Sequence, residues 1–529
     1  MSAESEYDVV VIGAGHNGLT AAAYLARAGR RVLVLERRHV IGGCAVTEEL
    51  WPGFRISRAS YLAGLLRPVV IEELRLADHG LELLPRDPSS FTPMPDGRGL
   101  VLGPDPIATR NEIRHFSTRD ADNYSLYESF LERVAHAIEP LLDVPPPRWS
   151  DPSAVSSLLT LLGRTARIGT DLPRALRMLN GAAAPIITSW FESEPLRATL
   201  ATDAVIGAWA APTTPGTGYV LLHHVMGETG GTRGVWAYVR GGMGSVSAAI
   251  ASVARAHGAE IRCSATVARV LTEGGGATGV ELVSGERIRA ATVVSNADPA
   301  TTFLELLGTD ELPAGLRDEL RELDFRSPVL KINVALDRLP AFTSRPAGGS
   351  ELRGTIHIGA TTMQQIEDSF AAALAGSLPE RPMIEMTIPS TLDDSLAPAG
   401  KHVASLFVQH VPHSLPDERW NVERDGFADR VFSLVDEVAP GFSASVLHRE
   451  VLAPPDLERI FGITGGNIFH GAMTPDRLYF RRPLPGIGGY GTPIAGLYLC
   501  GAGTHPGGGV MGACGRNAAG VIMNDRIAP

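Results

Sequence analysis

The chain has 529 residues, of which 44% are hydrophobic and 20% charged, and its formal net charge is −11. A chain of this length and of ordinary globular composition usually divides into two or more lobes. The acidic balance and the lack of a basic run argue against a nucleic-acid partner, and no pattern of histidines, cysteines and acids indicates a metal site.

The N-terminus and the cysteines bear on where the protein works. The opening MSAESEYDVV is acidic and leads straight into a strand, so no signal peptide is predicted. The charge-poor stretches are broken by Pro and Gly, which is not typical of a membrane-spanning helix. The four cysteines are too scattered for a disulfide framework. We therefore expect a reducing, cytoplasmic location, and contact of an apolar surface patch with a membrane stays open.

The first predicted unit consists of a strand, a turn and a helix. Residues 7–12 (YDVVVI) predict a strand, GAGHNG predicts a glycine turn, and the alanine-rich LTAAAYLARAG predicts a helix. Gly29 ends that helix, and RRVLVLE predicts a second strand. Residues 7–36 therefore form a βαβ unit, and the fold begins with a parallel sheet.

The following segments alternate between two kinds of pattern. From about residue 70 to 239, short strands and amphipathic helices are predicted, with the proline run VPPPRW at 144–149 as a corner. A helix at 245–257, the strand GAEIRC, a hairpin over TVARVLTEGGGATGVELVSGERIRA and the strand ATVVSNAD then indicate a return to the first lobe. Strands such as VLKINVAL and HVASLFVQH and the helix GFADRVFSLVDEVA precede a final strand, GLYLCGAG, and a helix after Met511.

These segments predict an α/β fold in which a discontinuous Rossmann domain is interleaved with an α+β second lobe. The nucleotide-binding domain is assigned residues 1–70, 240–298 and 486–529. The substrate-binding domain, which includes a helical part, is assigned residues 71–239 and 299–485. A ligand would then lie between the two lobes.

The glycine turn carries a nucleotide-binding pattern. Gly13, Gly15 and Gly18 form G-x-G-x-x-G between a strand and a helix, where a pyrophosphate can lie against the N–H groups of the helix N-terminus. Glu36 ends the second strand, where its carboxylate can accept hydrogen bonds from ribose hydroxyls. Because an acid at this place repels a 2′-phosphate, FAD or NAD is favoured over NADP.

Two further glycine segments favour a flavin. Gly42 and Gly43, in ERRHVIGG, allow the backbone to run alongside an extended FAD, which an NAD site does not require. GAGTHPGGGV near the end of the sequence is a second glycine cluster. Glycine at such density indicates positive φ angles or close approach of the backbone to a ligand. We interpret both ends of the chain as parts of one FAD site.

The motifs GAGHNG, ERRHVIGG and LYLCGAGTHPGGGVMGACGRNAA resemble the carotenoid and retinoid oxidoreductase family, which includes bacterial phytoene desaturases and flavin-dependent carotene ketolases. The resemblance extends over essentially the whole chain. It implies a glutathione-reductase-type FAD-binding domain beside a substrate-binding domain, with the isoalloxazine at their junction. Cys44 stands where many phytoene desaturases have an arginine.

The resemblance also implies which residues hold FAD. The first turn and the residues after the second strand would bind the ADP half, a backbone position in the middle of the chain would meet adenine, and the C-terminal loop would meet the flavin. The set is Gly13, Gly15, His16, Asn17, Gly18, Glu36, Arg37, Gly42, Gly43, Val267, Gly501, Gly503, Gly509 and Val510. The helix that begins near Met511 would stabilise negative charge on the reduced ring through its N-terminal dipole.

Few catalytic side chains are expected, because hydride transfer to a flavin mainly needs orientation and a dry pocket. His505 in THPGGG, and His470 with Asn467 in GGNIFHG, are the candidates for polarising the ring or the substrate. The pair at 223–224 lies in an apolar segment, which favours a core role. Ser60 and Tyr61 are candidates for the cavity wall.

Together these features predict an FAD-dependent oxidoreductase of the dehydrogenase or desaturase type that acts on an apolar small molecule. No second nucleotide-binding domain is evident, so the electron acceptor is left open as oxygen, a quinone or another carrier. The alternatives are a flavin-dependent isoprenoid ketolase or oxygenase, a flavin-dependent isomerase, and a regulatory protein that retains flavin with little turnover.

Overall fold

The computed structural model describes residues 6–147, 163–165, 167–308 and 311–525. Within these residues there are two seven-stranded sheets, three two-stranded ribbons and the helices given below. The strands are β1 (Tyr7–Ile12), β2 (Val32–Leu35), β3 (Thr47–Trp51), β4 (Phe54–Ser57), β5 (Leu83–Pro85), β6 (Ser90–Pro93), β7 (Gly99–Leu102), β8 (Glu228–Thr229), β9 (Thr232–Arg233), β10 (Ala237–Val239), β11 (Glu260–Arg262), β12 (Val267–Glu273), β13 (Gly276–Leu282), β14 (Arg287–Ser295), β15 (Leu330–Leu336), β16 (Thr355–Ile358), β17 (Met383–Thr387), β18 (His402–Gln409), β19 (Val446–Leu452) and β20 (Leu497–Leu499). The α-helices are His16–Arg27, Pro68–Glu73, Pro106–Arg114, Thr118–Ile138, Leu172–Asn180, Ala183–Trp190, Glu194–Val205, Thr217–Val225, Gly244–Ala256, Ala314–Arg321, Met363–Leu374, Asp417–Asp436, Pro454–Phe461 and Ala513–Asn524.

The first sheet collects strands from three distant parts of the chain. β1 pairs in parallel with β2 on one side and with β14 on the other, and β14 pairs in parallel with β20. The parallel order is therefore β11-β2-β1-β14-β20, and the predicted βαβ unit is present. The predicted hairpin β12–β13 extends β14 as an antiparallel meander.

Both faces of this parallel sheet are apolar. Val9 and Val11 pack under the helices that follow β1, precede β11 and end the described chain. Val10 and Ile12 face the opposite way, toward the meander. A parallel sheet covered on both faces carries continuous hydrophobic runs, which is why YDVVVI and VLVL are recognisable in the sequence.

The second sheet has the order β19-β15-β18-β17-β16-β6-β7, and its neighbouring pairs are antiparallel except for β16 with β6. One face is aliphatic: Ile332, Ile384 and Leu406 pack against the helix Asp417–Asp436. The other face packs against a layer of helices drawn from the described part of residues 118–225. Both faces of the second sheet are therefore covered.

The predicted fold class is confirmed: a mixed α/β fold contains a Rossmann-type sheet interleaved with a second, mixed sheet. The exact domain boundaries stay a prediction. The predicted corner at 144–149 runs beyond residue 147 and so lies partly outside the described residues. In the part of the chain described, no helix combines the length and the apolar character needed to cross a membrane.

Candidate active site

The turn between β1 and the first helix has the geometry of a phosphate cradle. Gly13 adopts φ +92° and donates its N–H to Leu35 O at 2.8 Å. Gly15 is the N-cap of the helix, without a side-chain cap, so the first N–H groups remain available to a ligand. A Cβ on Gly18 would lie 2.3 Å from Gly13 O, so only glycine allows the helix to pack this closely on the turn.

Glu36, directly after β2, lies beside the glycine turn where the sequence predicts a nucleotide. Its buried carboxylate accepts the N–H of Ala14 at 2.8 Å and the N–H of Arg38 at 2.9 Å. These two bonds fix the carboxylate beside the turn and leave acceptor positions for ribose hydroxyls. Ala265 donates its N–H to Glu36 O at 2.8 Å, which brings the predicted adenine contact, Val267, to the same end of the sheet.

The glycine pair lies directly on the turn. Gly42 donates its N–H to Ala14 O at 2.8 Å, and a Cβ on Gly43 would lie 3.2 Å from Gly15 Cα. The predicted passage of the backbone alongside the nucleotide is therefore sterically possible with glycine. Arg37 points elsewhere: its Nη2 donates to Arg459 O at 3.0 Å.

The C-terminal glycine loop meets the same turn. His16 Nε2 lies 3.2 Å from Gly509 O, which joins residues 493 positions apart at the start of the first helix. Gly509 has φ +116°, and a Cβ on Gly503 would lie 2.5 Å from Pro299. Burial, with a smaller contribution from His470, lowers the pKa of His16 to about 4, so this imidazole is neutral near pH 7.

The remaining predicted cofactor residues also lie around this junction. Asn17 is buried on the first helix, and its Oδ1 has no hydrogen-bond partner among the described residues. A Cβ on Gly501 would lie 2.7 Å from Asn296 O. The Asn296 side chain itself would meet a Cβ on Gly15 at 2.6 Å. Asn296 is a contact that sequence reasoning missed, since the only signal was its place at the end of the strand ATVVSNAD.

A cavity of about 840 Å³ extends from this junction toward the second sheet. At the junction it is lined by His16, Cys44, Ser60, His470, Ala502, Gly509 and Val510. The glycine turn, where a Cβ would fill the space, and the buried acid that follows β2 fit the ADP half of FAD. The neutral residues that line the junction fit the flavin half. Burial raises the pKa of the Cys44 thiol to about 12, so this group is not a thiolate near pH 7.

The candidate His470 lines this cavity, whereas Asn467 does not. His470 adopts φ +57°, burial lowers the pKa of its ring, and Nδ1 has no partner among the described residues. Asn467 accepts the N–H of Phe469 at 2.9 Å and donates to Arg326 O at 2.8 Å. Asn467 thus holds the loop on which His470 is presented.

His505 does not line the cavity and binds a backbone carbonyl elsewhere. Its Nε2 lies 2.7 Å from Leu141 O, and its ring meets Tyr479 edge-on at 5.1 Å between centroids. Burial lowers the pKa of His505 to about 4. The structure therefore does not bring His505 together with His470, and its catalytic role stays a prediction without a supporting contact.

His223 is a cavity residue that the sequence placed in the core. It is buried on the helix Thr217–Val225, and its Cε1 would lie 3.7 Å from a Cβ on Gly509. Its Nε2 lacks a partner among the described residues, and burial lowers its pKa to about 3. A neutral imidazole nitrogen therefore lines the cavity beside the glycine loop.

The floor of the cavity is a row of side chains that crosses the second sheet. His357 lies opposite Glu385, Glu385 opposite Phe407, and Phe407 opposite Lys331, on four adjacent strands. All four line the cavity. Residues opposite one another on adjacent strands share a face of the sheet, so the cavity face carries polar groups where the other face carries Ile332, Ile384 and Leu406.

Within this row, Tyr61 joins Glu385 to Lys331. Its hydroxyl donates to Glu385 Oε2 at 3.0 Å, and its ring centroid lies 4.1 Å from Lys331 Nζ. Glu385 Oε1 has no partner among the described residues. Burial raises the pKa of Glu385 to about 8 and lowers the pKa of Lys331 to about 7, so both groups titrate near neutral pH.

Among the described residues, no three His, Cys, Asp or Glu side chains are placed so that they could hold a metal ion together. The arrangement can instead exclude water, hold a redox cofactor at the junction and exchange a proton at the sheet. Glu385 and Lys331 were not identified as site residues from the sequence. The available signal was polar alternation in VLKINVAL and MIEMT, which is also typical of strands with one face in water.

Comparison with known proteins agrees with this geometry. The family model described as "Flavin containing amine oxidoreductase" matches residues 18–523. The chain is similar to pyridine nucleotide-disulfide oxidoreductase domain-containing protein 2 of Mus musculus, with 51% identity over 98% of this chain and 94% of that protein. It is similar at 26% identity to the lycopene-forming phytoene desaturase of Pantoea ananas, over 98% of this chain and 99% of that protein. The resemblance to phytoene desaturase-like flavoproteins is thereby confirmed.

Among solved structures, the fold is similar to that of wild-type putrescine oxidase bound to putrescine. The TM-score is 0.63 at 15% identity, and the match covers 98% of this chain and 99% of that chain. Likeness at this level of identity shows a shared fold.

Proposed function

The chain belongs to the family of flavin-containing amine oxidoreductases, and we propose that it acts as a dehydrogenase or desaturase on a small molecule held in the cavity. It is an FAD-dependent oxidoreductase. The observation that carries the proposal is the meeting of the two glycine segments: His16 contacts Gly509 at one end of the cavity whose floor is the polar face of the second sheet.

The chain's own residues would hold the cofactor and shape the pocket. FAD, when bound, supplies the hydride acceptor. Glu36 and the glycine turn would hold its ADP half, and the Gly509 loop would lie against the isoalloxazine ring. The helix Ala513–Asn524, whose N-cap is Gly512 at φ +72°, begins directly after this loop and would stabilise negative charge there.

Oxidation of a substrate also releases a proton. We propose that Glu385 accepts it, directly or through the Tyr61 hydroxyl, because Oε1 is unpartnered and faces the cavity. A base with a pKa near the working pH is the most effective proton acceptor. The neutral rings of His223 and His470 would contact the substrate or the flavin as hydrogen-bonding groups.

The apolar part of the cavity wall, which includes Leu131, Ile468 and Phe469, fits the apolar substrate expected from the sequence. The electrons would pass on to oxygen, a quinone or another carrier. The phytoene desaturase relative supports a dehydrogenation, whereas neither the ketolase alternative nor the regulatory one is favoured by the relatives. Because all four cysteines are free thiols, we further propose a reducing, cytoplasmic location, with contact at a membrane surface as a variant.

The test is anaerobic reduction of the flavin, followed by absorption. The holoprotein would be mixed in turn with NADH, NADPH and a panel of apolar alcohols, amines, acids and polyenes. The proposal expects bleaching by members of the panel and not by the nicotinamides. Bleaching by a nicotinamide alone, or incorporation of labelled oxygen into the product, would contradict a dehydrogenase that oxidises its substrate directly.

A further inference from the structure

Arg86 is a buried charge in the cavity wall without a charged partner. It lies between β5 and β6 with 3% of its surface exposed, and it lines the cavity. Its Nη1 donates to Thr355 Oγ1 at 2.8 Å and its Nε to Trp236 O at 3.3 Å. Its guanidinium lies 5.5 Å from the ring centroid of Tyr238. All these partners are neutral, and within the described ranges no carboxylate is at ion-pair distance from it.

A buried guanidinium of this kind calls for an anion. Arginine keeps its charge in proteins, unlike lysine or a carboxyl group. A buried charge is stable only when it is paired, since desolvation is otherwise uncompensated. The guanidinium donates hydrogen bonds to a hydroxyl and to a carbonyl oxygen, which are both neutral acceptors. The Arg86 side chain lines the cavity, so a negatively charged ligand there could pair with it.

Burial shifts several titratable groups around Arg86 toward their neutral forms. Burial raises the pKa of Asp203 to about 7 and of Glu385 to about 8, and the nearby guanidinium lowers both only in part. Burial lowers the pKa of His224 to about 4 and of His357 to about 3. Lys331 and Tyr61, which also face this region, are neutral or cationic near pH 7. Near pH 7, these groups around Arg86 therefore do not supply an excess of negative charge to balance its guanidinium.

We propose that the cavity binds an apolar carboxylic acid whose carboxylate is held by Arg86, with its apolar body lying along the cavity toward the Gly509 loop. That the end of the ligand near the Gly509 loop is the one oxidised rests on the proposed function, which places the flavin at that loop. A planar guanidinium matches a carboxylate through two parallel hydrogen bonds. The carboxyl of Asp203, when protonated, can donate a further hydrogen bond to the bound carboxylate.

This arrangement determines whether the affinity for an acidic ligand rises or falls with pH. When pH rises through about 7 to about 8, Asp203 and Glu385 ionise and repel the bound carboxylate. Affinity for an acid should therefore fall as pH rises across this range. Affinity for an amine of the same shape should instead rise, because ionised carboxylates attract a cation.

The experiment uses three probes of one shape: 4-phenylbutanoate, 4-phenylbutylamine and 4-phenylbutan-1-ol. Their binding to FAD-loaded protein is measured by calorimetry, without turnover, from about pH 6 to about pH 9. At the acid end we expect the carboxylate to bind about tenfold or more tightly than the other two. Arg86→Met should remove this preference and leave alcohol binding within about twofold, and Arg86→Lys should restore part of it.

Arg98→Met is the matched control, since Arg98 is an exposed arginine paired with Asp96, and it should change nothing. If Arg86→Met fails to fold, the pH series on the unaltered protein still decides. An amine that binds more tightly than the acid at all pH values, or an acid preference that survives in Arg86→Met, would overturn the proposal. Flavin content and anaerobic flavin reduction are measured on the same samples, so a failed carboxylate site is distinguishable from a failed oxidoreductase assignment.

Discussion

The two large sheets bury their faces in different ways. The parallel sheet is apolar on both sides, with Val9 and Val11 in one core cluster and Val10 and Ile12 in another. The second sheet is aliphatic on one side only. Its other side presents His357, Glu385 and Lys331, and it is buried all the same. A sheet face that is polar and yet buried is costly to the fold, so we propose that its polar groups serve a ligand.

The contrast separates stability from function within single strands. Ile384 and Glu385 are neighbours in β17, but Ile384 faces the aliphatic core and Glu385 faces the cavity. The side chains of the parallel sheet support the fold, and the residues that we propose for the cofactor site, Gly13, Gly18 and Glu36, lie where its strands end. The substitutions below should show whether this division is correct.

The largest effect is expected at the edge of the parallel sheet. Glu36→Ala would leave the buried N–H groups of Ala14 and Arg38 without acceptors and would remove the contact with ribose. We expect FAD affinity to fall about a hundredfold or more, since each lost bond to a charged group contributes about 1.5–3 kcal/mol. Titration of apoprotein with FAD measures this. Glu36→Gln, which keeps an acceptor oxygen, should retain an intermediate affinity, and unchanged binding in Glu36→Ala would show that the site lies elsewhere.

The next effect compares the two faces of β17. Ile384→Ala should lower the free energy of unfolding by about 2–5 kcal/mol, because it opens a cavity in the aliphatic core. Glu385→Gln should change it little or raise it, because a buried carboxyl with an unpartnered oxygen is costly. Chemical denaturation measures both.

The same pair separates stability from catalysis. Glu385→Gln should slow substrate-dependent flavin reduction about tenfold or more, whereas properly folded Ile384→Ala should keep its rate. Equal loss of stability in the two variants would mean that the polar face serves the fold and not a ligand.

A smaller effect concerns pH. The pKa of Glu385 is about 8 in the folded chain against 4.5 for the ordinary group, so the folded state binds more protons between these values. The stability of the unaltered protein, measured relative to Glu385→Gln, should therefore fall as pH rises from about 4.5 to about 8. The slope should be at most about 1.4 kcal/mol per pH unit. Denaturation curves over this range test it, and a difference that rises with pH would contradict a raised pKa.

The smallest effect separates two histidines. His470→Asn keeps a residue type that tolerates φ +57°, so FAD should stay bound while flavin reduction slows by about tenfold. His505→Gln should leave the rate within about twofold, because its ring is bound to Leu141 O outside the cavity lining. Stopped-flow reduction of both variants provides the measurement. The reverse order of effects would assign the cavity role to His505.

Features that depend on residues close together in the sequence could be predicted from it, and features that depend on distant residues could not. YDVVVI, the glycine turn, Glu36 and the Gly42–Gly43 pair are recognisable because their chemistry depends on residues close in sequence, and their geometry agrees with that expectation. The second sheet was harder to interpret. Lys331 in VLKINVAL has the alternation of a half-exposed strand, but it is buried, and its Nζ lies 4.1 Å from the ring centroid of the distant Tyr61.

Other site residues depend on distant partners as well. Arg86, in LLPRDP, has the appearance of a surface loop arginine, but Trp236 and Thr355 enclose it. His505 was favoured because it lies in the flavin loop, yet its partner, Leu141, is 364 residues away. No local pattern records such contacts, which arise only when the two sheets and the helical layer close around one cavity.

The measurement that tests the central claim most directly is the absorption spectrum of the purified protein, with its flavin content determined after denaturation and after reconstitution with excess FAD. One FAD per chain, in oxidised form and bleached anaerobically by a small-molecule substrate, is the result that we predict. A chain that remains colourless in excess FAD would contradict the assignment of the glycine segments and the account of the cavity that depends on it.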